Sequence, residues 1–307
     1  MGLFSHTTFL NRMLNPFVRL KSRYFIFGSF LLASMLVGTV YALLVMALPW
    51  PAEDPISTPI FTILIFGILS LTLAGAGRWT GLRFGSLFGE LPRGLSWWYF
   101  LLLVISVLFF SMGSFFVVFY PISLLAPELV SSLLSDSLLN TDTVVPVTYR
   151  WLTIFMAVIF APVVEEFIFR GILLQRWGVK WGLRAGVIGS SLLFGLLHQQ
   201  NPVGLSMFGL VMALLYVRTR SLWMPILAHL LNNLFAVLSE LLPTQAEAAE
   251  FTLQSFQETW WMGLVFLGLA LPILVHFIYN SWPTQQAQLP YFANAQKLNA
   301  QAQTPIA

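Results

Sequence analysis

The chain has 307 residues, 58% of them hydrophobic and only 9% charged, with a formal net charge of +3 and no cysteine. Soluble globular domains carry about a quarter charged residues, so the composition excludes that class and points to an integral membrane protein. Without cysteine there is no disulfide, thiolate metal site or cysteine nucleophile, which leaves His, Asp and Glu as candidate ligands and bases.

In chain order, eight apolar segments reach or approach the length of a membrane span: 25–48, 58–76, 97–120, 151–170, 185–200, 202–217, 222–242 and 260–279. The first follows Arg12, Arg19, Lys21 and Arg23. It is too long for the apolar core of a signal peptide and lacks a small-residue cleavage site, so it reads as a retained span. The fifth and sixth are short and meet at Asn201-Pro202, a tight turn, so they need tilt, local thinning or burial among neighbours. Segment 175–184 mixes basic and Trp residues, as a helix lying at the cytoplasmic surface would. Trp97, Trp98, Trp151, Trp260 and Trp261 read as an interfacial belt. Gly182, Gly186, Ser190, Ser191 and Gly195 put small residues along the fifth segment, a sign of close helix packing. The tail from 281 is polar and rich in Gln, Ala and Pro, and reads as disordered.

Charge sorting sets the topology. With eight spans and the N-terminus inside, the cytoplasmic segments collect Arg12, Arg19, Lys21, Arg23, Arg78, Arg83, Arg93, Arg170, Arg176, Lys180, Arg184, Arg218, Arg220 and Lys297, leaving only Arg150 outside. Glu53, Asp54, Glu128, Asp136, Asp142, Glu240, Glu247, Glu250 and Glu258 fall in outer loops. Lys/Arg bias fixes orientation, so both termini are expected in the cytoplasm. The expected architecture is all-α and polytopic, with about eight transmembrane helices. It divides into a cytoplasmic segment (1–24), helices one to three (25–148), a core of helices four to seven (149–242), an outer loop with helix eight (243–279) and a polar cytoplasmic tail (280–307).

Some ionisable residues lie inside spans instead. Glu165, Glu166 and Arg170 sit in the fourth, His198 in the fifth and His229 in the seventh. Glu165 is eleven residues before Arg176, His198 fourteen after Arg184 and His229 nine after Arg220. At about 1.5 Å per residue, all three lie roughly 13–21 Å from the cytoplasmic charge layer, in a core about 30 Å thick. Three helices thus bring polar groups to a similar depth. Glu166 and Arg170 are i,i+4 and can pair, while Glu165 points about 100° away and is free for another partner. His229 and Asn233 are also i,i+4, whereas Asn232 faces elsewhere.

A carboxylate beside a neutral imidazole can ligate a divalent metal or activate a water, and an amide can donate to a developing oxyanion. The bland alternatives are an interhelical hydrogen bond for one histidine, as for His276 and His6, and a structural Glu–Arg pair. Two glutamates, two histidines and an asparagine together favour a functional site, since ionisable groups in membranes mark sites by default. Proteolysis, transport and proton relay all remain open on this ground. A transporter would call for inverted repeats or interrupted helices at matched positions, and neither is seen. No phosphate loop or nucleic-acid motif is present.

The order Glu165-Glu166-x-x-x-Arg170, Phe194-x-x-x-His198, His229-x-x-x-Asn233 resembles the three-motif signature of the CPBP (CAAX protease and bacteriocin-processing, or ABI) family. These intramembrane proteases are related to the type II CAAX prenyl endopeptidase. Phe169-Arg170-Gly171, Leu196-Leu197-His198 and Leu222-Trp223-x-Pro225-Ile226-x-Ala228-His229 look similar too, so the resemblance covers roughly 150–240. It implies a membrane endopeptidase whose site opens toward the cytoplasmic side. It cleaves a membrane-associated or hydrophobic protein substrate, a prenylated one among the options. In that scheme Glu165 is the general base, and His198 helps hold the attacking water. Glu166 and Arg170 orient the site, and His229 with Asn233 stabilises the oxyanion. If the mechanism is metal-dependent, Glu165, His198 and His229 are the candidate ligands of zinc or another divalent ion; a metal-free glutamate mechanism is the rival account. The rival from another class is a catalytically inactive membrane scaffold or bacteriocin-immunity-type protein.

Overall fold

The computed structural model describes residues 15–47, 54–135, 138–139, 142–241 and 252–303. Of the residues sorted above, His6, Arg12, Glu53, Asp136, Glu247 and Glu250 lie outside that set. Every regular element among the described residues is a helix: α1 (Pro16–Arg19), α2 (Ser22–Ala47), α3 (Ser57–Thr80), α4 (Phe84–Phe88), α5 (Trp97–Leu125), α6 (Pro127–Ser135), α7 (Pro146–Trp181), α8 (Leu183–Leu197), α9 (Pro202–Thr219), α10 (Trp223–Leu241), α11 (Leu253–Thr259), α12 (Met262–Ser281) and α13 (Pro290–Gln303). Seven of them, α2, α3, α5, α7, α9, α10 and α12, are long and apolar enough to cross a membrane, so this is a multi-pass integral membrane protein.

Local chemistry sets the ends. Ser96 accepts the Tyr99 N–H at the start of α5, and Asn201 accepts the Gly204 N–H at the start of α9, where Pro202 holds the first helical position. Gly81 (φ 90°) closes α3, and Gly182 (φ 92°) stops α7 in a conformation that side chains resist. Arg220 closes α9 at φ 55°, with its backbone N–H returned to the Tyr216 carbonyl.

Helix α5 lies at the centre against α9, α10 and α12, and α8 packs along α9. The small residues of α8 do what their spacing predicts. A Cβ on Gly186 would come within 2.6 Å of the Leu174 carbonyl oxygen, and one on Gly195 would run into Ser206 and the Pro202 carbonyl. The backbones are too close for anything larger.

Four expectations change. The fourth span does not end at 170; α7 runs unbroken to Trp181, so 175–181 is its last stretch rather than a separate surface helix. Two parts of α7, Phe155–Phe160 and Phe167–Leu174, are π-helical and flank the α-helical Ala161–Glu166. Arg170 is wholly buried inside α7 and drops out of the cytoplasmic charge layer. The fifth span is α8, only 15 residues long, because the backbone leaves helical geometry at His198 (φ −105°, ψ 76°) ahead of Asn201-Pro202. The tail is not disordered over 290–303. There α13 folds against α4, with Tyr291 packed edge-on to Phe17 at 5.0 Å and its hydroxyl accepting the Arg83 N–H. Asn294 donates to the Ser86 and Arg220 carbonyls and ties α13 to α4 and to the turn after α9. Those anchors are single residues that composition averages away.

Candidate active site

Glu165 and Glu166 end the α-helical segment between the two π-helical stretches of α7 and Arg170 lies in the second, and such wide turns recur at functional sites. Glu166 and Arg170 are both fully buried and joined at 2.9 Å from Nη1 to Oε1. The second guanidinium nitrogen donates to the Gly209 carbonyl of α9 at 3.0 Å, and the guanidinium lies 4.7 Å over the Phe194 ring. Gly209 has no room for a side chain, since a Cβ would meet Ser191 backbone at 3.0 Å and Arg170 at 3.3 Å.

His229, on α10, completes the group. Its Nδ1 lies 2.9 Å from the same Oε1 of Glu166. With Nδ1 donating to the carboxylate that Arg170 also pairs, Nε2 turns the other way. Nε2 lies 3.9 Å from Oε2 of Glu165, too far for a hydrogen bond and wide enough for a water touching both. Glu165 keeps 17% of its side-chain surface exposed where Glu166 keeps none. The two adjacent carboxylates are thus separated in environment: one is locked in a network and the other stays partly exposed. Glu166 Oε2 is buried with no hydrogen-bond partner.

His198 lies at the end of α8, with Nδ1 bonded to the Phe194 carbonyl at 2.7 Å and its ring stacked on Phe194 at 4.5 Å. Neither glutamate comes within 4.0 Å of its ring nitrogens. Asn233 donates to the Ala157 carbonyl in the first π-helical stretch at 2.8 Å, and Asn232 donates to the Asn233 side-chain oxygen at 3.3 Å. The structure therefore joins Glu166, Arg170 and His229 directly and brings Glu165 to 3.9 Å from His229. It reaches His198 only through Phe194, whose ring also meets His229 at 6.0 Å.

The residues sequence reasoning missed are those that hold others. Phe194 was visible as a motif position but carried no assigned role; its ring touches His198, Arg170, His229 and Phe208. Gly209 and Ala157 act through backbone carbonyls, which no side-chain pattern reports.

No three His, Asp or Glu side chains among the described residues come together as a metal-holding group. Two ligands of a tetrahedral zinc at about 2.0 Å lie about 3.3 Å apart, so the 3.9 Å between Glu165 and His229, with His198 farther off, does not fit one.

Comparison with known proteins bears on this same region. The family model described as type II CAAX prenyl endopeptidase Rce1-like matches residues 146–235, which hold all six candidate site residues. Over residues 146–235 the chain is therefore similar to the CAAX-protease (CPBP) family. Over 96 residues the chain is 34% identical to the Bacillus subtilis protein named "Putative membrane peptidase YdiL". That match covers 31% of this chain and 39% of YdiL, so the chain spans well under half the length of the relative. No solved structure matches. The matched region coincides with α7–α10, while α2, α3 and α12 lie outside it.

Proposed function

We propose that the chain is an intramembrane endopeptidase that hydrolyses a peptide bond of a membrane-associated or hydrophobic protein. The observation that carries this reading is the separation of the two glutamates. Glu166 pairs with Arg170 and His229, and Glu165 is left partly exposed with its Oε2 3.9 Å from His229 Nε2. In the proposed step Glu165 takes a proton from a water, and the water oxygen bonds to the carbonyl carbon. The resulting oxyanion takes the second amide hydrogen of Asn233, the first being held by Ala157. The proton on Glu165 passes to the peptide nitrogen as the C–N bond breaks, releasing a carboxylic acid and an amine, between which the last proton moves to leave a carboxylate and an ammonium. His198, with Nδ1 committed to Phe194, offers Nε2 at the edge of the site to the incoming peptide or water. The family match and the relative's name support a protease, and Lys/Arg bias supports cytoplasmic termini.

Glu165→Gln keeps the shape and removes the base. Labelling of protein N-termini in membranes containing wild type or this variant should show termini that need the wild type. The same termini at undiminished levels with the variant would remove Glu165 from the mechanism. The fold should be unaffected, since the change keeps the side-chain shape and no short hydrogen bond to Glu165 is lost.

A further inference from the structure

The turn between α8 and α9 sits where irregular backbone is costly. Helix α8 has 15 residues and spans about 22 Å, short of a hydrocarbon core about 30 Å thick. Its first residues adjoin Arg184, so its far end at His198 falls inside the slab. An independent tether agrees. Asn201 donates to the Ser111 carbonyl at 2.8 Å and the Ser111 hydroxyl at 3.0 Å, and the Ser114 hydroxyl leans on its oxygen. Ser111 is fourteen residues from each end of α5, about 21 Å from either. With Trp97 and Trp98 at one interface, about 9 Å of hydrocarbon lies beyond the turn.

The turn is polar and uncovered. His198 is half-buried, Gln199 and Gln200 are exposed, and all of 198–201 lies outside helix. Of the last α8 carbonyls, Phe194 is satisfied by the His198 ring and Gly195 by the His198 N–H. Non-helical backbone at this depth is tolerated where it is buried in protein or lines water, and the exposed Gln199 and Gln200 leave the second. Lipid cannot satisfy them.

We propose that a water-filled recess runs from the face opposite the arginine-bearing helix ends down to the 198–201 turn and the mouth of the Glu165–His229 site. The link to the site is Phe194, which stacks on His198 and borders Arg170 and His229. The resemblance implies an opening toward the arginine-rich side; the depth of this turn points the other way. The recess rests on that depth alone, and only its service as the route for water and peptide rests on the endopeptidase reading.

The chain has no cysteine, so single cysteines can be read without background. Gln199→Cys and Gln200→Cys are compared in sealed vesicles with Arg93→Cys beyond one end of α5, Glu128→Cys beyond the other, and Leu71→Cys on the exposed side of α3. The probe is a membrane-impermeant maleimide applied from one side at a time. Thiols react as thiolates, which need water. Both Gln positions should label from the Glu128 side, within about tenfold of the Glu128→Cys rate, while Leu71→Cys stays unlabelled. Labelling of either from the Arg93 side, or no labelling of both, overturns the proposal. Labelling as expected alongside cleavage that survives Glu165→Gln would keep the recess and remove the protease.

Discussion

The buried Glu166–Arg170 pair supports a prediction sharp enough to test the reading of the site. Both side chains are fully buried, and each is the other's charge partner. Arg170→Met keeps much of the apolar stem but leaves the Glu166 carboxylate with His229 alone, and leaves the Gly209 carbonyl without its donor. Removing one partner of a buried pair costs about 3–5 kcal/mol, mostly the penalty of the charge left behind. Glu166→Gln alone leaves an uncompensated guanidinium and should cost a similar amount. The double variant holds neither charge, and the glutamine carbonyl can still accept from His229 Nδ1. The double loss should therefore fall at least about 2 kcal/mol short of the sum of the singles. The assay is denaturant unfolding of the four proteins in one micelle system, followed by circular dichroism. A coupling energy under about 0.5 kcal/mol would mean that the pair is not the closed unit described here.

Two further outcomes follow from packing and charge elsewhere. Gly195→Ala would place a methyl against Ser206 and the Pro202 carbonyl, which are backbone-anchored and cannot give way. It should cost about 1–3 kcal/mol and shift α8 from α9; unchanged thermal stability in detergent would contradict that contact. Asp54, between α2 and α3, is pushed up by burial, but hydrogen bonds from the Val144 N–H, the Thr143 hydroxyl and the Ile56 N–H together hold it below its ordinary value. A depressed carboxyl stabilises fully above its unfolded value of about 3.9 and loses that contribution as pH falls through the folded value. Wild type should thus exceed Asp54→Asn in stability at neutral pH and converge with it in acid. A gap that persists at pH about 2 would show that the charge is not the cause.

How much of this was legible follows from the range of each interaction. The spans were readable because twenty apolar residues in a row are a requirement of lipid, not a preference. The Glu166–Arg170 pair was readable because i,i+4 geometry is local to one helix. His229 on Glu166 and Asn233 on Ala157 were not, because they depend on how α7 and α10 cross. The continuation of α7 to Trp181 was hidden by its basic residues, which charge sorting counts as a loop when they are only the end of a long helix. The docking of α13 was hidden for the opposite reason. Its polar composition is real, and two residues, Tyr291 and Asn294, hold it down.

The proposed hydrolysis inside a membrane would need water and charge where lipid opposes both, and the structure offers a candidate for each in separate places. Charge is made tolerable by closure: Glu166, Arg170, His229 and the Gly209 carbonyl form a network within α7, α9 and α10. Water cannot come by closure. The element that could admit it is α8, which stops short and ends in polar residues held at mid-depth by Ser111. Phe194 stands between the two, with one face toward His198 and its surroundings shared with Arg170 and His229. On this view the short fifth helix is a functional dimension rather than an irregularity. Lengthening α8 by one turn before His198 would carry the polar residues about 5 Å farther, away from Glu165.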